Sequence, residues 1–298
     1  MITDSTRRGG RGQGSGRHRG FDAAENFAAG FSALADVALA GAKVSARAID
    51  LLSGRVLLSV DDTVVLPTAD VGKLLLLLEV SARLGSGLDS RYEILDREPE
   101  DDSATAGIWQ HLSAPSFPLA DLAALVGSTR DSMATNALLR RVGLEAVWRR
   151  AESLGIRKTA LLDRVRDRRG PDDAPQLSVG AADELTWLMS GIARGEIVDA
   201  ATSYRVADWL ALGMDLSMVA SAFGLDPLAH TRSDHGLALF NITGSEPGVR
   251  AEAGVLRGPR AGVSYAVTLV FPDRRLPDRL GALGAMRTLG IDLLEYVH

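Results

Sequence analysis

Pro67-Thr68-Ala69-Asp70-Val71-Gly72-Lys73-Leu74-Leu75-Leu76 opens a long apolar segment that runs over 71–84. Pro67 and Thr68 read as the approach to a helix. Asp70 then falls in its first turn, where a carboxylate suits the positive end of the helix dipole. Asp70 and Lys73 are three residues apart, so a helix puts the acid and the amine on one face.

The sequence on either side sets this helix in a larger frame. Upstream, Phe21, Ala24, Phe27, Phe31 and Leu34 recur at helical spacing. Residues 44–49 alternate like a strand, Ser53-Gly54 turns, and 56–60 returns, which reads as a hairpin. Downstream, 91–105 is acidic and irregular. Residues 119–125, 133–142, 144–154, 179–194 and 202–212 read as helices. The charged stretch 163–175, with Gly170-Pro171 and Pro175, reads as a surface loop. Residues 237–242, 249–256 and 264–271 are strand-like, and 280–297 is a closing helix. Strands near both ends of the chain predict an α+β fold: a five-stranded, mainly antiparallel sheet flanked by terminal helices, with an all-α insertion. The expected division is a tail at 1–20, a sheet subdomain from 21–62 and 213–298, and a helical subdomain from 63–212.

Composition narrows the functional classes. The chain has 298 residues, 46% of them hydrophobic, and a net charge of −5, so no global charge favours nucleic acid. Cysteine is absent, which excludes disulfides, thiolate catalysis and cysteine-bound zinc. His18, His111, His230, His235 and His298 show no metal-ligand spacing, and no metal or other cofactor is expected. No apolar run reaches the ~18 residues that would suggest a membrane span. Residues 1–20 are Gly- and Arg-rich and read as a disordered tail. Arg7-Arg8 is not followed by an apolar core, and 21–42 carries Asp22, Glu25 and Asp36. A cytoplasmic location is therefore expected, with export left open. The four tryptophans read as core. The Arg164, Arg166, Arg168 and Arg169 group, interleaved with acids, reads as a solvated loop.

The order and spacing of several pieces resemble the class A (serine) β-lactamases and related penicillin-recognising proteins over roughly residues 24–297. These are the 67–76 segment, Gly107-Ile108-Trp109-Gln110-His111-Leu112, the helix-loop-helix 119–136, Asp163-Arg164 at the opening of an Ω-like loop, and Thr243-Gly244-Ser245 before 249–255. The resemblance implies three motifs, Ser-x-x-Lys, Ser-Asp-Asn and Lys-Thr-Gly, together with a loop glutamate. In such a site the serine attacks the lactam, the lysine assists its deprotonation, and the glutamate positions the deacylating water.

All four elements are altered here. Asp70 stands at the nucleophile position, with Lys73 retained. Arg130-Asp131-Ser132 replaces Ser-Asp-Asn, while Asn136 downstream fits the family. Ile242-Thr243-Gly244 lacks the third-motif lysine. Arg166 or a near neighbour stands where the glutamate is expected, with Asp167, Asp172 and Asp173 close by. No Ser-x-x-Lys occurs elsewhere. The expected catalytic-site residues are thus Asp70, Lys73, Arg130, Ser132 and Arg166, and the expected binding residues are Asn136, Ile242, Thr243, Gly244 and Ser245.

Asp70 as nucleophile would form a mixed anhydride, and an ion pair with Lys73 would hold it back. The sequence therefore points to a β-lactamase-like protein that has lost acyl-enzyme hydrolysis. The old cleft would bind a small carboxylate, a β-lactam-like ligand or a partner, with Arg130 able to grip a carboxylate bidentately. A serine-independent hydrolase of β-lactams or related amides, and a purely structural or interaction module, stand as alternatives.

Overall fold

The computed structural model describes residues 27–103, 105–228, 235–273 and 275–298. The expected tail at 1–20, the first residues of the N-terminal helix, His18, His230 and the neighbouring Asp234 lie outside them.

The chain begins with helix α1 (Ala28–Leu39) and the hairpin strands β1 (Lys43–Asp50) and β2 (Val56–Val60). The Asp50 carboxylate accepts from the Ser53 amide at 2.7 Å and the Ser53 hydroxyl at 2.6 Å, which fixes the turn. Near the other end come β8 (Ala238–Glu246), β9 (Val249–Arg257), β10 (Gly262–Val270) and the closing helix α8 (Leu276–Val297). These five long strands form one antiparallel sheet in the order β2-β1-β10-β9-β8. Ala46 of β1 pairs with Val267 of β10, so the two distant segments meet in the middle of the sheet.

Between them lie β3 (Leu66–Pro67), α2 (Lys73–Gly85), β4 (Ile94–Asp96), β5 (Ser116–Pro118), α3 (Leu119–Thr129), α4 (Ser132–Val142), α5 (Leu144–Ser153), β6 (Ala160–Leu161), β7 (Ser178–Gly180), α6 (Ala182–Arg194) and α7 (Ala200–Leu210). Helix α2 packs against α3, α4, α5 and α7. That explains why Leu74 to Leu78 show no polar face: all five are buried, as in a helix enclosed on every side.

The sheet's two faces feed two cores, because successive side chains of a strand point opposite ways. Ala251, Ala253 and Val255 join the helical core around α2. Leu256, Tyr265, Val267 and Leu269 pack with Leu34 of α1 and with Met286 and Leu289 of α8.

Four local expectations change. The α-helix begins at Lys73, and Asp70 lies before it in a 3₁₀ turn, Ala69–Gly72, that Ala69 enters at φ +49°. The 179–194 segment starts as strand β7, paired with β3 and β6, and turns helical only at Ala182. The irregular 91–105 stretch contains β4, which pairs with β5. The last sheet segments also run longer than expected, so β8 carries Thr243-Gly244-Ser245 within the strand. No helix among the described residues is long and apolar enough to cross a membrane.

Candidate functional site

The turn before α2, the α3–α4 junction and strand β8 meet at one place. Gly244 makes that approach possible: a Cβ there would run into the Thr68 carbonyl oxygen and lie 2.9 Å from the Asp70 amide nitrogen. On the other side, Ser178 of β7 donates from its hydroxyl to the Ala69 carbonyl at 2.6 Å and accepts from the Gly72 amide at 3.2 Å. Thr68 Oγ1 lies 2.7 Å from the same serine oxygen. The 3₁₀ turn is thereby clamped from both flanks.

Arg130 closes α3 in the left-handed conformation, at φ +57°. A side chain other than glycine is strained there by about 1 kcal/mol. The twist turns its carbonyl toward Lys73, whose Nζ donates to it at 2.6 Å. The next residue, Asp131, caps α4 by accepting from the Ala134 amide at 2.9 Å. It also accepts from the amides of Ile108 and Trp109 at 2.7 and 2.8 Å, fixing the junction against the 107–112 segment.

A four-membered charge network results. Lys73 Nζ lies 2.7 Å from Asp70 Oδ1, and the lysine side chain is fully buried. Asp70 Oδ2 lies 3.3 Å from Arg130 Nη1, which also donates to Ser245 Oγ at 3.1 Å. Arg130 Nη2 lies 3.3 Å from Asp215 Oδ2, and Thr243 Oγ1 donates to that same oxygen at 2.9 Å. The two cations and two carboxylates balance. Burial pulls the Lys73 ammonium below the usual lysine range, against the opposing attraction of Asp70. Burial pushes Asp215 up, but the Arg130 guanidinium and hydrogen bonds from Ser217 and Thr243 outweigh it and hold the carboxyl below its usual value.

Above the network opens a cleft of about 300 Å³. Asp70, Arg130 and Ser245 line it together with Thr105, Arg166 and Glu246. Burial and the nearby Asp70 raise the Glu246 carboxyl.

The other sequence-derived positions divide. Thr243, Gly244 and Ser245 belong to the network or its frame. Ile242 is buried in the helical core; strand alternation puts it on the opposite face from Thr243 and Ser245. The Ser132 hydroxyl lies 2.7 Å from Thr105 Oγ1 and accepts from the Ala106 amide at 3.1 Å, so it ties the cleft wall to α4. Asn136 lies beneath the Ω-like loop. Its amide donates to the carbonyls of Asp101 and Val165 and accepts from the Val165 amide. Arg166 lines the cleft but is paired with Asp163 at 2.8 Å and Asp173 at 3.1 Å. Asp167, next to it, accepts from Ser103 Oγ at 2.7 Å.

Asp215, Ser178 and Glu246 were not anticipated. Glu246 directly follows the motif-bearing segment, and that adjacency was the one available signal. Asp215 and Ser178 sit in no motif. No group of three His, Asp or Glu side chains placed to hold a metal occurs among the described residues.

The chain belongs to the β-lactamase enzyme family, whose model matches residues 27–297. Curated protein sequences give no match. Among solved structures, it resembles a β-lactamase from Sphaerobacter thermophilus DSM 20745, at 20% identity and TM-score 0.79, over 91% of this chain and 97% of that one. A PBP-A mutant in an acyl-enzyme complex with penicillin G gives 18% identity and TM-score 0.75, over 90% and 96%. A class A β-lactamase from Mycobacterium abscessus gives 17% and 0.70, over 90% and 97%. At these identities the likeness shows the fold and leaves the chemistry to the residues.

Proposed function

We propose that this chain is a β-lactamase-fold protein that does not form an acyl-enzyme and whose cleft binds a small carboxylate reversibly. The observation that carries the reading is Asp70, at the nucleophile position, with one carboxylate oxygen on Lys73 and the other on Arg130. A lactam carbonyl approaching Asp70 would meet a weakly nucleophilic carboxylate already engaged by two cations. Thr68 and Ser132 offer no substitute, because their hydroxyls are bonded to Ser178 and Thr105.

Carboxylate binding draws on Arg130. Both of its carboxylate contacts are 3.3 Å long, against 2.7 Å for Lys73 and Asp70. Charge-assisted hydrogen bonds are ordinarily about 2.7–2.9 Å. A ligand carboxylate that pairs bidentately with the guanidinium can therefore displace the 3.3 Å Asp215 contact, with Ser245 as a further donor.

The experiment combines intact-mass analysis after exposure to a fluorescent penicillin with a thermal-shift series in small carboxylates such as acetate and succinate. The expected result is no mass gain, together with a rise in Tm that disappears in Arg130→Leu. An adduct lost in Asp70→Ala would overturn the first half. Carboxylates without effect on Tm would overturn the second.

A further inference from the structure

A second cavity, of about 480 Å³, lies away from the charge network, between α2, α7 and the loop that carries Arg91. Its size falls within the range of small-molecule sites. Its walls are Leu84, Arg91, Tyr204, Arg205, Asp208 and Trp209, with small alanines between them.

The chemistry on these walls is organised. Asp208 lies four residues after Tyr204 and three after Arg205, and Trp209 lies four after Arg205, so these pairs neighbour one another along α7. Arg205 is held in place: Nη1 donates to the Ser81 carbonyl at 2.8 Å and to Ser81 Oγ at 3.0 Å. Ser81 is itself buried and donates to the Thr202 carbonyl at 3.1 Å, which locks α2 to α7. The Nε and Nη2 of Arg205 make no hydrogen bond among the described residues. Arg91 lines the cavity from the segment before β4, its carbonyl accepting from the Ala120 amide at 3.2 Å and its guanidinium 5.5 Å from the Tyr92 ring centre. Neither arginine forms an ion pair among the described residues, and neither does Asp208. Two cations and one carboxylate thus face the same space without neutralising one another by contact. The aromatic side chains Tyr204 and Trp209 lie beside them.

We infer that this cavity binds a zwitterionic ligand with an aromatic or bulky apolar body, of the class of a free aromatic α-amino acid. Arg205 and Arg91 take its carboxylate, Asp208 takes its ammonium, and Leu84, Tyr204 and Trp209 cover the apolar part. The fixed Arg205 fork lowers the ordering cost of the carboxylate contact. Asp208 sets the preference for a zwitterion over a simple anion, since an unpaired carboxylate beside a bound anion is unfavourable.

Isothermal titration of the full chain with phenylalanine, phenylacetate and phenethylamine tests the inference. Phenylalanine should bind more tightly than either analogue lacking one charge. Arg205→Gln should weaken phenylalanine about tenfold or more, the loss of one charge-assisted hydrogen bond. Because Arg205 also supports the helix pair, Asp208→Asn gives a second reading that leaves the Ser81 contacts intact. It should weaken phenylalanine while leaving phenylacetate unchanged or improved. All titrations are made in an Arg130→Leu background, so that carboxylate binding in the other cleft does not contribute. Equal binding of all three probes, no binding of phenylalanine or insensitivity to Asp208→Asn in that background would each overturn the assignment.

Discussion

The Lys73 ammonium is fully buried and reaches two oxygens, Asp70 Oδ1 at 2.7 Å and the Arg130 carbonyl at 2.6 Å. Removing the carboxylate leaves a buried cation with one neutral acceptor. Losing one partner of a buried pair costs ~3–5 kcal/mol, and Asp70→Ala should fall near the lower end because Asp70 touches the cleft. Lys73→Met removes the buried charge itself and should cost less than Asp70→Ala. Urea unfolding of both single variants and the double variant checks the order. Equal losses would mean the pair is not the reason.

Glu252 makes a pH signature. It is buried among Tyr265, Asn241 and the amides of Val219 and Ala220. Burial pushes its carboxyl up to about 7 from 4.5, against those hydrogen bonds. The folded state therefore holds this proton more tightly than the unfolded chain. The stabilisation is full below pH 4.5 and lost as pH rises through 7. Its size is roughly 3 kcal/mol. The stability of the parent relative to Glu252→Gln should fall across that window and level off above it. A flat difference from unfolding midpoints would show the carboxylate ionised throughout.

Gly244→Ala reports on how closely β8 approaches the turn that holds Asp70. A new methyl must displace the Thr68 carbonyl or the Asp70 amide, both main-chain atoms. Overpacking of this kind costs about 1–3 kcal/mol, and more where only backbone can yield. A fall in Tm of several degrees is expected, and an unchanged Tm would mean that the strand can drift outward freely.

Asn136→Ala should loosen the Ω-like loop. It removes the donors and the acceptor that hold Val165 and Asp101. Leaving buried backbone groups unpaired costs ~1–3 kcal/mol each. Limited proteolysis should then cut within 163–175 faster than in the parent. Equal cutting rates would place the loop's anchor elsewhere.

Much of the fold was legible because its elements are long. Residues 44–49 alternate, the three late stretches are apolar and strand-like between turn residues, and strands near both ends of the chain already imply one sheet from distant segments. The short strands β4 and β7 were not legible, since two or three residues cannot show a period. At the site, the meeting of Asp70 and Lys73 follows from their spacing, and Arg130 from its place in the second motif. Asp215 could not be found this way. It is a single acid in an irregular stretch, and its place beside Arg130 depends on the path from α7 into β8. Asn136 is legible as a residue of interest but not as a loop anchor, because its partners are backbone atoms of Asp101 and Val165.

The bond from Lys73 to residue 130 ends on the main chain, at an oxygen that every amino acid carries. The side chain at 130 can thus change without unseating the lysine. Lys73 works as a peg between the start of one helix and the junction of two others. That contact gives the fold a mechanical reason to keep the lysine, separate from any chemistry in the cleft.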